Sequence, residues 1–92
     1  MTDRLTGKYI HIRGIVQGVG FRPLIYNYAQ EFGLSGWIKN SSKGVEIEVH
    51  GPADTVTDFI HRIKNSPPLR SRIDSIRETV IPHAPGSGFR IV

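Results

Sequence analysis

A chain of 92 residues has room for one domain and no second. It contains no cysteine, which excludes a disulfide framework, a thiolate metal site and a cysteine nucleophile. A formal charge of +4 favours an anionic ligand, without deciding among nucleic acid, phosphate and an acidic partner. No stretch is apolar enough to span a membrane, and MTDRLTGKYI lacks the run of a signal peptide, so a cytoplasmic location is the expectation.

In chain order, KYIHIRGIV (8–16) alternates Ile10 and Ile12 with His11 and Arg13 and reads as a strand. PLIYNYAQEF (23–32) changes period: Leu24, Ile25, Tyr28, Ala29 and Phe32 recur at helical spacing, and Gly33 is a natural stop. SGWIKN (35–40) reads as a short strand. GVEIEVHG (44–51) is a clear one, with Val45, Ile47 and Val49 on one side and Glu46, Glu48 and His50 on the other. SSKG between them has the composition of a hairpin turn. PADTVTDFIHRIKN (52–65) predicts a second helix burying Val56, Phe59, Ile60 and Ile63, and SPP ends it. SRIDSIRETVI (71–81) reads as a strand whose imperfect alternation suggests a bulge. PHAPGSG (82–88) is a loop and FRIV (89–92) a last short strand. The order β-α-β-β-α-β with a terminal strand predicts an α+β, ferredoxin-like fold: an antiparallel sheet with two helices on one face and the other face wet.

The first strand-to-helix connection carries the functional signal. GIVQGVGFRP (14–23) places Gly18 and Gly20 where backbone angles denied to other residues become available. Successive N–H groups of such a loop can converge on an anion, and the helix start behind it adds free donors and a favourable dipole. Pro23 suits a first helical position and biases Arg22 towards an extended conformation, leaving its guanidinium able to fold over the loop. A glycine-rich turn can equally be only a turn, and Arg22 a solvated arginine at a helix start.

VQGVGFR (16–22), followed by GWIKN (36–40) and GVEIEVHG (44–51), resembles the acylphosphatase family, and the resemblance extends over nearly the whole chain. It implies a ferredoxin-like domain that hydrolyses the carboxyl–phosphate bond of acyl phosphates without metal or other cofactor. By the same resemblance Arg22 binds the substrate phosphate. The backbone amides of Gln17, Gly18, Val19, Gly20, Phe21 and Arg22 cradle it, and Asn40 positions the attacking water. GFRP and SPPLRSRIDSI (66–76) further resemble the N-terminal acylphosphatase-like domain of the hydrogenase-maturation carbamoyltransferases, which use carbamoyl phosphate. That implies the remaining domains of a larger enzyme as partners. The cysteine-rich zinc segments that follow this domain in those enzymes are absent here, so the chain reads as such a domain or as a stand-alone relative. The domain is the favoured reading.

Plainer readings stand beside these. From spacing alone Asn40 is a hairpin residue, and Ser41 and Ser42 are turn residues, with Ser41 able to orient Asn40. His11, His50, His61 and His83 show no metal-ligand spacing and read as surface or strand residues. Trp37 and Tyr28 read as core or rim aromatics, and Lys64, Arg70, Arg72 and Arg77 as a solvated face. RNA-recognition domains of this fold stack bases on aromatics of the third strand, where this chain has Glu46 and Glu48; nucleic acid is therefore not the expected partner. A monomer is expected.

Overall fold

The computed structural model describes residues 4–92. Its central strand, β1 (Leu5–Ile15), pairs antiparallel with β3 (Gly44–Pro52) on one side and with β4 (Arg72–Ile81) on the other. β2 (Ser35–Ser41) pairs antiparallel with the far side of β3, and β5 (Phe89–Ile91) runs parallel to β2, giving the order β4-β1-β3-β2-β5. The expected antiparallel sheet is therefore mixed at one edge. The loop after β4 crosses the end of the sheet to the opposite edge, so the chain enters β5 in the direction of β2. The suspected bulge exists in β4: between Arg13 and Gly14 of β1 the pairing passes from Ser75 to Ile73, leaving Asp74 as the extra residue. β1 also begins three residues earlier than its alternation suggests, because Leu5, Thr6 and Gly7 still find partners in Pro52, Gly51 and His50.

Helices α1 (Phe21–Phe32) and α2 (Ala53–Asn65) lie on one face of the sheet. Phe21, Ile25 and Ala29 of α1 recur every four residues, so one stripe meets the sheet; Val56, Phe59, Ile60 and Ile63 do the same for α2. Beneath them the strand register lines up Ile10, Ile47 and Ile38 across three strands, and all three are fully buried. Phe89 closes the core from the β5 edge, its ring 6.4 Å from those of both Tyr26 and Phe59.

The other face is polar, as the alternation of β3 requires. Tyr9 and His11 of β1 lie opposite Glu48 and Glu46 of β3, which lie opposite Trp37 and Lys39 of β2. The Tyr9 hydroxyl donates to the Glu46 carboxylate, and its ring meets Trp37 edge-on at 6.5 Å. That hydrogen bond, with burial and the nearby negative charge adding to it, pushes the Tyr9 phenol from its ordinary 10.0 up to about 12. His50 is a strand residue of β3, and although the alternation puts it on the polar side it is buried. The loop 82–88 folds over it, the Ala84 N–H donates to Nδ1 at 3.1 Å, and Nε2 lies 2.8 Å from Glu48. An Nδ1 that accepts leaves the proton on Nε2, so the neutral ring donates to Glu48.

Two expectations follow. Gly36 has a φ of +140°, and a Cβ there would lie 1.9 Å from the Glu48 carbonyl oxygen on β3. Gly36→Ala should destabilise the domain by about 2–4 kcal/mol in urea unfolding, since both the backbone angle and the strand spacing oppose it. The Tyr9 contribution has the opposite pH sense to that of a paired carboxylate. Its folded pKa is raised, so the stabilisation is fully present below pH 10.0 and is lost as pH rises through about 12. Alkaline absorbance titration should show one late tyrosine, absent in Tyr9→Phe.

Candidate functional site: an anion cradle

Three connections meet at one end of the sheet: the β1–α1 loop, the two-residue Ser42–Lys43 turn between β2 and β3, and the segment from α2 to β4. Val16, buried, anchors the chain as it leaves β1. Gly18 and Gly20 then take φ of 73° and 80°, in the left-handed region. A Cβ at either would touch nothing within 4 Å, so backbone angle rather than crowding calls for glycine.

α1 begins at Phe21, not at Pro23, with Gly20 as its N-cap. Arg22 is therefore helical, contrary to the extended conformation expected of a residue before proline. Proline is tolerated here because the first three N–H groups of a helix have no intrahelical partner, so a missing donor at the third position loses nothing. The first helical hydrogen bond is that of the Leu24 N–H to the Gly20 carbonyl, at 3.3 Å.

Among the described residues, no protein acceptor meets the N–H groups of Gly18, Val19, Gly20, Phe21 or Arg22. Five consecutive donors are thus free at a helix start, where the dipole also favours negative charge. The half-buried Arg22 side chain stands on this first turn and makes no salt bridge among the described residues. Such a set can bind a tetrahedral oxyanion: the amides supply directed donors and the guanidinium a planar, permanently charged fork.

Asn40 lies two residues beyond buried Ile38 on β2 and pairs with Val45, which is in line with Ile12 of β1. Parity puts it on the helix-covered face, at the end of the strand nearest the loop. Its side chain is exposed and without a protein hydrogen-bond partner among the described residues. Ser41, by the same parity, faces the other way. Its hydroxyl lies 3.5 Å from His11 Nε2 and accepts from the Lys43 N–H at 3.4 Å, so it does not orient Asn40 through its side chain.

The link between loop and hairpin is one that sequence reasoning missed. The Gln17 side-chain amide donates to two hairpin carbonyls, Ser41 at 2.6 Å and Gly44 at 2.8 Å. The sequence reading gave Gln17 a backbone role only. The signal available was a long amide side chain directly before the glycine pair, and nothing in spacing says where such a side chain reaches. The remaining candidates take no part in this site. Trp37 and Tyr28 are half-buried, Tyr28 donating to the Ser66 carbonyl at 2.6 Å with the Arg62 guanidinium 5.2 Å from its ring centroid. Lys64 pairs with Glu78 and Arg72 with Asp74. Among the described residues no group of three or more His, Asp or Glu side chains could hold a metal ion.

A βαββαβ domain whose first loop offers a row of free amides beside an arginine has the donors that an anionic group needs. The chain belongs to the acylphosphatase family, whose profile matches residues 8–91. It is 45% identical over 69 residues to the carbamoyltransferase HypF2 of Cupriavidus necator, a match covering 75% of this chain and 9% of that protein. It is 42% identical over 88 residues to an acylphosphatase of Rhizorhabdus wittichii, covering 95% and 87%. The crystal structure of full-length HypF in its phosphate- and nucleotide-bound form superposes with a TM-score of 0.94 at 40% identity, over 100% of this chain and 12% of that one. The chain thus spans about a tenth of the HypF proteins it resembles and most of the small acylphosphatase.

Arg22→Ala should leave the fold intact, since the side chain is neither fully buried nor ion-paired, and should weaken inorganic phosphate binding by roughly tenfold or more. Isothermal titration of the two proteins with phosphate measures this.

Proposed function

We propose that this domain cleaves acyl phosphates with Arg22 and the amides of Gln17 to Arg22 as the phosphate site and Asn40 as the water-positioning residue. Its substrate is carbamoyl phosphate, and its wider setting a HypF-type carbamoyltransferase for nickel–iron hydrogenase maturation. The observation that carries the reading is the run of five free N–H groups at the start of α1 with Arg22 on the same turn. The 0.94 superposition on HypF supports the carbamoyl assignment. The 87% span of a small acylphosphatase supports a broader acyl phosphate substrate range as the alternative.

The chemistry asks little of the protein. The leaving carboxylate is stable, so neither a nucleophilic side chain nor a strong general acid is required. What remains is to neutralise the phosphoryl oxygens, align a water in line with the scissile bond, and hold both still. The amides and Arg22 do the first. The Asn40 amide has a donor and an acceptor and can hold a water by either. Water attacks phosphorus, the P–O bond to the acyl group breaks, and the water proton passes to a phosphoryl oxygen. The products are inorganic phosphate and a carboxylate, which for carbamoyl phosphate is carbamate.

Hydrolysis of benzoyl and carbamoyl phosphate by the purified protein in EDTA, with phosphate as competitor, tests this. Turnover should be inhibited by phosphate. Asn40→Ala should lower kcat about a hundredfold with KM little changed, whereas Arg22→Ala should affect both. A preference for carbamoyl over benzoyl phosphate in kcat/KM supports the HypF assignment, and the reverse supports the broad one. Full activity in both variants would refute the site.

A further inference from the structure

We infer that the Gln17 side chain is a positioning residue: a strut that fixes the hairpin carrying Asn40 against the phosphate cradle, and so sets where the water stands relative to phosphorus. The inference rests on the hydrolytic reading above and deepens it.

The cradle and Asn40 belong to different elements. The cradle is the N-terminal side of α1, whose position is set by Phe21, Ile25 and Ala29 in the core. Asn40 sits near the end of β2, two residues before the exposed Ser42–Lys43 turn. No hydrogen bond joins Arg22 to Asn40 among the described residues. The side chain that bridges them is Gln17, the second residue after β1. Both hydrogens of its amide nitrogen are used, one on the Ser41 carbonyl and one on the Gly44 carbonyl. These acceptors flank the turn, one at the end of β2 and one at the start of β3, so the bond pair spans the mouth of the hairpin. Ser41 is the residue after Asn40. A shift of the Ser41 peptide moves Asn40 with it, and sub-ångström displacement is the scale on which in-line attack is lost.

The geometry also explains the residue type. A carboxylate offers no hydrogen to either carbonyl and would place a negative charge beside the phosphate site. Asparagine is one methylene shorter. A neutral terminal amide of glutamine's length presents two N–H bonds from one atom at this distance.

The test is Gln17→Met, which keeps length and removes both donors, with Gln17→Glu as a second variant should the first fail to fold. Folding is checked by circular dichroism. The expected result is a kcat lowered roughly tenfold or more, with KM and the inhibition constant of inorganic phosphate within about twofold of wild type. In the Asn40→Ala background the same substitution should have almost no further effect on kcat, because Gln17 acts through Asn40. Equal loss of phosphate affinity and kcat would overturn the inference, making Gln17 a support of the cradle alone. So would unchanged kcat, or effects that multiply in the double variant.

A wild type that turns over no acyl phosphate would refute the hydrolytic reading instead. The strut would then be judged by NMR titration with inorganic phosphate. Phosphate should shift the Asn40 side-chain amide together with the cradle amides in wild type, and the cradle amides alone in Gln17→Met. The same Asn40 response in both proteins would overturn it.

Discussion

The register of β1 against β3, and of β3 against β2, decides everything that follows at the functional end. Ile12 lies opposite Val45 and Val45 opposite Asn40, so the asparagine shares a face with the core and with the helices. Side chains alternate with a period of two, and a slip of one residue in either pairing would turn Asn40 to the open face and bury Ser41 or Lys39 instead. Two features hold the register. The inward row Ile10, Ile47, Ile38 has no room for a charged substitute. The close approach at Gly36 admits no side chain.

On that frame the site is assembled from groups that the fold leaves unpaired. Helix starts always leave N–H groups without partners, and most proteins satisfy them with a capping side chain. Here the N-cap is a glycine in the left-handed region, with no side chain to bond back. The protein has charge to spare for an anion: among the described residues Arg22 has no carboxylate partner, whereas Arg62, Arg72, Lys8 and Lys64 are each paired with one. The same pairings act on the carboxylates. The Lys8 and Lys64 ammonium groups beside Glu78 hold its carboxyl below the usual range, Lys8 foremost.

The fold was almost entirely legible in the sequence because its signals are local. Period-two alternation in 44–51 and three- and four-residue spacing in 52–65 each report a single element facing a single core. Local signals fell short where a second element intervened. His50 alternates like an outward residue, yet a loop more than thirty positions later covers it. Pro23 invited a helix start at itself, but the donors that matter lie just before it. Of the site, the glycines, Arg22 and Asn40 could be read as a motif. The Gln17 contact could not, because it joins residues 24 and 27 positions apart whose proximity only the sheet order creates.

The central placement of β1 also has a consequence for how the chain reaches this state. Its partner on one flank, β4, begins at Arg72 and pairs back to Ile15, while Ile81 pairs back to Gly7. The first strand therefore cannot be closed on both sides until nearly the whole chain is available. Such distant pairings carry a large loop-closure entropy before any contact rewards them. Folding should accordingly be slow for so small a domain, and a chain emerging from the ribosome would hold its glycine-rich loop long before it held the sheet that gives the loop its shape.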